Sequence, residues 1–123
     1  MHNSLQITFR NLDRSSAVEE KIRDRALKLD RYFSDIQSCD VAVSLLHKHH
    51  HQGNRYHVRV AVTVPGDELI ASRQPDENHA YTDVYVAMRD AFDTMERLLE
   101  DYVRRLRREV KTHEPPARGR VTG

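Results

Sequence analysis

The chain has 123 residues, of which 32% are charged and 38% apolar, which suits one domain with a single hydrophobic core and is too short for two. Cys39 is the only cysteine, so the chain can form neither an intramolecular disulfide nor a zinc site built from cysteines. No apolar run approaches the roughly 20 residues of a membrane span, and the N-terminus lacks the layout of a signal peptide. These features predict a cytoplasmic protein with no membrane partner.

The first two predicted elements are a strand and a helix. Apolar and polar residues alternate from Leu5 to Arg10, the pattern of a strand with one solvated face. Ser15 or Ser16 can cap the helix that follows, and Ser16 has Glu19 three residues later, the spacing of a capping box. The apolar residues of this helix recur every three or four positions and predict one buried stripe, formed by Val18, Ile22, Ala26, Leu29 and Phe33.

Three further strands are predicted in the middle of the chain. Alternation over residues 39–45 and 56–64 predicts two of them, with Gly53-Asn54 between the two. Pro65-Gly66 supplies a tight turn into a short fourth strand around residues 69–72, after which the chain is polar.

The last predicted element is a long helix, the most regular signal in the sequence. Pro115-Pro116 ends any helix, so we expect residues 1–112 to form one domain and residues 113–123 to form a linker or tail. The apolar positions of the helix repeat at three and four over more than six turns and are Val84, Met88, Ala91, Phe92, Met95, Leu99, Tyr102 and Leu106.

The order of the elements is strand, helix, three strands, helix. A four-stranded sheet with one apolar face and two helices with one apolar stripe each predict a two-layer α+β sandwich. Because a crossover through a helix is right-handed and joins parallel strands, the first two strands should be parallel and the others should form a meander.

Two surfaces carry candidate nucleic-acid contacts, and the first is on the first helix. At 3.6 residues per turn, one flank of the apolar stripe is basic, whereas Glu19 and Asp30 fall on the opposite flank. This arrangement predicts a directional positive surface with an aromatic residue beside it, and its alternative is an ordinary solvated helix face. The residues of the flank are Lys21, Arg25, Lys28 and Tyr32.

The second candidate surface is the end of the long helix. The net charge is +1, but the charges are distributed unevenly along the chain. Residues 83–101 carry six acids and two arginines, whereas residues 102–123 carry seven bases and two acids. The helix dipole by itself favours cations at this end of the helix. Five cations are more than this effect accounts for, and Glu109 is the only acid near them in the sequence. Arginine forks bind phosphate oxygens, so we expect RNA or phosphate contacts at Arg104, Arg105, Arg107, Arg108 and Lys111.

A run of histidines marks the turn between the second and third strands, with His57 nearby. Neutral imidazoles can bind zinc, but adjacent histidines on a hairpin rarely converge on one ion. A polar hairpin tip, or one that touches RNA, is the favoured interpretation, and the run remains a weak metal candidate. Its members are His47, His49, His50 and His51.

The sequence offers no enzyme site. It contains no nucleophile elbow, no phosphate-binding glycine loop and no helical zinc pair. Cys39 lies on the apolar side of an alternating strand, where a small buried hydrophobe is expected. We therefore expect a protein that is not an enzyme and that needs neither a cofactor nor a small-molecule substrate.

Three segments resemble a known family. The strand Leu5 to Asn11, the helix end KLDRYF at residues 28–33 and the segment DVYVAMRD at residues 83–90 stand in the order and spacing of the ribosome hibernation promoting factor and ribosome-associated translation inhibitor family. The second segment resembles a Lys-Leu-Glu-Arg-His-Phe pattern and the third an Asp-Met-Tyr-Ala-Ala-Ile-Asp pattern. The resemblance covers about residues 4 to 110.

The resemblance implies a β-α-β-β-β-α fold, similar to double-stranded RNA-binding domains, with both helices on one face of the sheet. It also implies binding to the small ribosomal subunit and its ribosomal RNA, in the channel used by mRNA and tRNA, through the basic faces of the helices. Arg25, Lys28 and Arg31 match basic positions of the family's first helix, and Arg97 matches an arginine of the second.

The chain departs from this pattern in two places. Glu100 and Asp101 stand where short members carry lysines, so the arginines begin later, at Arg104. The histidine hairpin is long and resembles a subgroup with a cold-shock domain after this one, of which residues 119–123 would be the start. Two other functions stay open at this point: a generic double-stranded RNA-binding module, and a histidine-dependent metal or pH sensor.

Overall fold

The computed structural model describes residues 4–49, 53–72 and 83–113, and its elements follow the predicted order. They are β1 (Leu5–Arg10), α1 (Ser16–Tyr32), β2 (Ser38–His49), β3 (Gly53–Val64), β4 (Asp67–Ala71) and α2 (Val84–His113). The predicted α+β class is confirmed. Neither helix, over the ranges described, combines the length and the apolar character that crossing a bilayer requires.

The four strands form one sheet in the order β1-β2-β3-β4. β1 and β2 are parallel across the crossover made by α1, and the other two pairings are antiparallel, as predicted. Ile7 of β1 lies opposite Val41 of β2. Val60 of β3 lies opposite Val41 on one side and Ala71 on the other. The alternation within each strand thereby produces one continuous apolar face.

The β2–β3 hairpin is longer than the sequence pattern predicts. β2 continues to His49 and β3 begins at Gly53, so Gly53-Asn54 lies within β3 and not between the strands. The pairing continues beyond a register shift between Leu45 and His47. Backbone hydrogen bonds can extend a ladder beyond the apolar core, and side-chain alternation does not detect such an extension.

Helix α1 begins with a different cap from the capping box at Ser16. The side chain of Ser15 accepts a hydrogen bond from the backbone N–H of Val18 at 3.2 Å, and Ser16 is already helical. Glu19 forms an ion pair with Arg14 instead of reaching back to the cap. Of the two predicted caps, Ser15 is confirmed and the capping box at Ser16 is wrong, because Ser15 has the extended backbone that a cap requires.

The core lies between the helices and one face of the sheet. The predicted stripe of α1 is buried, with Phe33 at its C-cap partly buried against the core. Phe92, Met95 and Leu99 of α2 have no solvent exposure and make up the centre of the second stripe. Cys39 is also fully buried, as predicted; desolvation, with a smaller contribution from the charge of Asp40, raises the pKa of its thiol to about 12.

Tyr102 links α2 to the turn that precedes β4. Its hydroxyl donates a hydrogen bond to the carbonyl oxygen of Pro65 at 2.6 Å. Its ring packs edge-on against Phe33, with centroids 5.6 Å apart and an interplanar angle of 74°. Desolvation and the charges of Asp67, Asp35 and Glu109 together raise the pKa of Tyr102. The far end of α2 is thus held close to the end of α1.

Candidate nucleic-acid interface

The two helices lie side by side and run in the same direction. Arg25 contacts Asp93, Lys28 contacts Glu96, and Phe33 contacts Tyr102, so later positions of α1 meet later positions of α2. The last turn of α1 therefore lies beside the turn of α2 that directly precedes the arginines. This arrangement brings the two basic regions predicted from the sequence to one end of the helical layer.

Lys28 and Tyr32 lie at the seam between the helices. They line a shallow groove whose other side is formed by Glu96, Leu99 and Glu100. The side chain of Lys28 is 66% exposed, although its amino group is 3.5 Å from Glu96, and Tyr32 is 53% exposed. An exposed cation beside an exposed ring can contact both the phosphates and the bases of an RNA strand.

Lys21 and Arg31 are two further predicted contact residues of α1, and both are exposed. Lys21 is two turns before Lys28, which corresponds to about 10 Å along the helix axis. Arg31 is exposed in the last turn of α1, next to Tyr32 in sequence. Lys28 and Tyr32, which line the groove with residues of α2, are therefore the part of this surface closest to α2, and Lys21 extends it towards the start of α1.

Arg25 occupies a different environment from that expected for a solvated flank. Its Nη2 lies 2.7 Å from Oδ1 of Asp93 and 3.0 Å from Oε2 of Glu96, and its side chain is only 20% exposed. The guanidinium also lies 5.5 Å from the centre of the Phe92 ring, a cation–π distance. Desolvation alone would lower the pKa of Arg25, but the two hydrogen bonds and the nearby charges outweigh it and raise the pKa. Arg25 thus links the helices.

The acidic partners of Arg25 were missed in the sequence. Asp93 and Glu96 stand three residues apart beside the apolar stripe of α2, on the side that faces α1. A helical wheel of one helix gives the relative directions of its own side chains, but not which helix lies next to them. The acidic run in residues 83–101, set against the basic flank of α1, was the signal that could have indicated this pairing.

The arginines at the end of α2 are exposed. Arg104 is 3.3 Å from Asp101, one turn earlier, so Glu109 is not the only acid close to this group. Arg104, Arg105 and Arg108 line a shallow depression with Leu69 and Leu98. Arg107 is exposed as well, whereas the side chain of Lys111 lies outside the described residues.

Arg97 lies apart from these two groups. It is exposed, and its Nη2 donates a hydrogen bond to Oγ1 of Thr94 at 3.3 Å. It lines a cleft between α2 and the strands β3 and β4, together with His57 and Asp90. The structure therefore does not bring Arg97 to the groove that Lys28 and Tyr32 line.

The histidine run falls mostly outside what the structure describes. His47 and His49 belong to β2, but their side chains, and all of His50 and His51, lie outside the described residues. His57 is in β3, where its Nε2 is 3.5 Å from Oγ of Ser72. The described side chains include no cluster of three metal-binding residues, and the four predicted metal candidates remain a prediction.

Comparisons with known proteins match this fold to one family. The family model described as Sigma 54 modulation protein / S30EA ribosomal protein matches residues 5–107. A ribosome hibernation promoting factor from Acinetobacter guillouiae is 31% identical over 104 residues, covering 80% of this chain and 87% of that protein. A ribosome hibernation promotion factor from Deinococcus radiodurans is 27% identical over 110 residues, covering 89% of this chain and 54% of that protein.

Two solved structures share the fold. A ribosomal subunit interface protein from Coxiella burnetii superimposes with a TM-score of 0.65 at 17% identity, covering 80% of this chain and 96% of that one. The N-terminal domain of Thermus thermophilus Protein Y gives a TM-score of 0.59 at 22% identity, covering 79% and 94%. The structural likeness supports the architecture, and the family match over residues 5–107 supplies the relationship. The chain belongs to the Sigma 54 modulation protein / S30EA ribosomal protein family, which confirms the resemblance seen in its sequence.

Proposed function

We propose that this chain is a ribosome hibernation factor that binds the small ribosomal subunit and occupies the sites of mRNA and tRNA. The observation that carries the proposal is that exposed cations of both helices lie at the same end of the helical layer. Lys28 and Arg31 contribute from α1, and Arg104, Arg105, Arg107 and Arg108 contribute from α2. The names of the two curated relatives support a role in ribosome hibernation.

The contact we propose is made mainly to the phosphates of ribosomal RNA. Arginine forks bind phosphate oxygens in pairs, and the exposed ring of Tyr32 offers a surface on which a base can stack. A rigid pair of helices matches the shape of a folded RNA without reading its sequence. Inhibition then follows from occupancy alone, because a bound domain excludes mRNA and tRNA without any chemical step.

Acidic residues limit where the RNA can lie. Glu96, Glu100 and Asp101 stand between the cations of α1 and those of α2, and phosphates would be repelled from this strip. We therefore expect RNA to approach the two basic groups from either side of the strip. Arg25, Lys21, Arg97 and Lys111 remain proposed contacts, although Arg25 would have to share its guanidinium with Asp93 and Glu96.

The experiment that tests this function is co-sedimentation with purified small subunits. The variants Lys28→Glu/Arg31→Glu and Arg105→Glu/Arg108→Glu each change the net charge by the same amount as the control Arg14→Glu/Arg89→Glu. The control residues are exposed, with 71% and 60% of their side chains accessible, and lie outside the proposed interface. We expect both interface variants to lose binding while the control retains it.

Salt dependence gives a second readout of the same experiment. Each phosphate contact adds about 0.7 to 0.9 to the slope of log affinity against log salt, so removing two cations should flatten the slope by roughly 1.5. A wild-type protein that fails to sediment with small subunits would overturn the proposal. Equal affinity for subunits and for free RNA duplex would favour a generic double-stranded RNA-binding module instead.

A further inference from the structure

The face of the sheet opposite the helices takes no part in the proposed interface. In each strand the buried apolar residues of the core point to the helices, so the residues between them point the other way. No described element packs over this second face. On it, one row of paired residues is Thr8, Ala42 and Arg59, and the next row is Arg10, Ser44 and His57.

Arg10 and Arg59 flank the central strand β2 on this open face. Adjacent strands are about 4.8 Å apart, so the two arginines lie two strands, or roughly 10 Å, apart across the sheet. Ser44 and Thr8 place hydroxyl groups beside them. The cations thus stand on a polar surface with hydrogen-bond donors around them.

These two arginines, like Arg31 and Arg105, have no acidic partner within the described ranges. Arg14, Arg25 and Arg104 each form an ion pair, whereas neither Arg10 nor Arg59 forms an ion pair or hydrogen bond with any residue in the described ranges. Arg59 is nevertheless half-buried, so its stem is held against the sheet. A positioned guanidinium without an internal acceptor can bind an external one at a low cost in side-chain entropy.

The charges of this face are separated along the strands. Asp40 lies one row from Arg59, on the side away from Arg10. Glu68 lies one row further in the same direction, opposite Thr63. Both carboxylates therefore lie on the side of Arg59 away from the hairpin, and the hairpin side is basic. This polarity is complementary to a chain of phosphates that crosses the hairpin end of the sheet.

The other side chains of the face favour a phosphate backbone over bases or a protein. The aromatic residues Phe9 and Tyr56 pack towards the core, so the only ring that the described side chains of β1 to β4 place on this face is the imidazole of His57, which lies 3.5 Å from the hydroxyl of Ser72. Its exposed apolar residues, Leu46 and Ile70, lie three rows apart, a separation of about 20 Å, and form no continuous apolar patch.

We propose that the hairpin end of the open sheet face is a second binding surface for ribosomal RNA, in which Arg10 and Arg59 contact one phosphate backbone. The proposal rests on the proposed function, since it takes RNA of the small subunit as the partner. The helices and this face lie on opposite sides of the domain. One bound molecule would therefore be held between two RNA segments, one on each layer.

The test measures salt-dependent binding of two variants with equal loss of charge. In Arg10→Gln/Arg59→Gln the proposed contacts are removed, and in Arg14→Gln/Arg89→Gln two exposed cations are removed elsewhere. Both variants are compared with the unchanged protein on purified small subunits and on a short RNA duplex, after unfolding curves confirm that they are folded. We expect Arg10→Gln/Arg59→Gln alone to bind more weakly, with a salt slope flatter by about 1.5.

The outcomes separate this proposal from the proposed function. If the unchanged protein binds small subunits and the two variants bind equally well, the second surface is wrong and the function stands. If Arg10→Gln/Arg59→Gln binds more weakly with an unchanged salt slope, the lost contact is not ionic, and the proposed contact with a phosphate backbone is overturned. If the unchanged protein does not bind subunits, the proposed function fails. In that case the binding of the two variants to the RNA duplex tests the second surface. Weaker binding by Arg10→Gln/Arg59→Gln than by the control supports the proposed RNA contact, and equal binding overturns it.

Discussion

The guanidinium of Arg25 in α1 lies 2.7 Å from the carboxylate of Asp93 in α2 and joins the two helices that carry the proposed interface. Glu96 binds the same nitrogen at 3.0 Å, and the ring of Phe92 lies beneath the guanidinium. A basic residue that the sequence placed on an RNA-binding flank thus has a structural role in this fold. It fixes the spacing between the surfaces that we propose to contact RNA.

Replacing Arg25 should destabilise the fold more than replacing its neighbour Lys28. Arg25→Gln leaves Asp93 without its cation and Glu96 with only Lys28, and it removes the contact with Phe92, so we expect a loss of about 1–3 kcal/mol in the free energy of unfolding. Lys28→Gln removes a longer, exposed ion pair and should cost at most about 1 kcal/mol. Urea unfolding measures both, and equal losses would contradict the structural role.

This role decides which variants can test binding. Reversing Lys21, Arg25 and Lys28 together, the simplest test that the sequence suggests, would place a glutamate at position 25 beside Asp93 and Glu96. Like charges would then meet in a partly buried seam, and a loss of binding could reflect a damaged fold. Lys28 and Arg31 are better choices because both are exposed.

Tyr102→Phe should lower the free energy of unfolding by about 1 kcal/mol. The change removes the hydrogen bond to Pro65 and leaves the ring against Phe33 in place. Phe33→Leu serves as the complementary variant, since it removes the ring contact and keeps the hydrogen bond. Thermal or urea unfolding measures both. A Tyr102→Phe protein as stable as the wild type would show that water replaces the hydroxyl at Pro65 without loss.

Cys39 should be unreactive in the folded protein and should make stability decrease at high pH. Its folded-state pKa of about 12 lies above the ordinary thiol value of 9.0, because burial disfavours the thiolate. Its contribution to stability is complete below pH 9 and is lost as the pH rises from 9 towards 12, since the unfolded chain ionises first.

Two measurements check this expectation for Cys39. Labelling by a thiol reagent near neutral pH should proceed only as fast as the protein unfolds. Between pH 9 and pH 11 the stability of Cys39→Ala should decline less steeply than that of the wild type. Rapid labelling of the native protein, or parallel declines, would contradict the burial of this thiol.

The fold was largely predictable because its main elements are periodic. The stripe of α1, the stripe of α2 and the alternation in β1 each repeat with a regular spacing, and their order restricts the topology. The ends of β2 and β3 were not predictable in the same way, since backbone pairing continues through His49 and Gly53 beyond the apolar alternation.

The candidate site was predictable only in part. The sequence identifies which residues are basic and on which flank of their own helix they lie. It does not show that Arg25 meets Asp93 and Glu96, because that contact depends on how α1 and α2 lie against each other. For the same reason the sequence does not show that Arg10 and Arg59 lie on one face. They are 49 positions apart, and only the register of three strands places them there.

The histidine hairpin should be dispensable for folding. The core described here is built from residues of the helices and the strand segments that face them, and a polar hairpin tip adds little to such a core. Replacing His47, His49, His50 and His51 with serine should leave the Tm unchanged, and so should a metal chelator added to the wild type. A Tm that falls sharply with the chelator would reveal a structural metal site in the hairpin.

The central claim is that the bound domain occupies the place of mRNA and tRNA on the small subunit. The most direct test compares co-sedimentation of the protein with empty small subunits and with subunits preloaded with mRNA and initiator tRNA. The claim requires the sites of mRNA and tRNA to be free when the protein binds. We therefore predict that the protein binds empty subunits and does not bind preloaded ones. Equal binding to both would contradict occlusion and would place the protein elsewhere on the subunit.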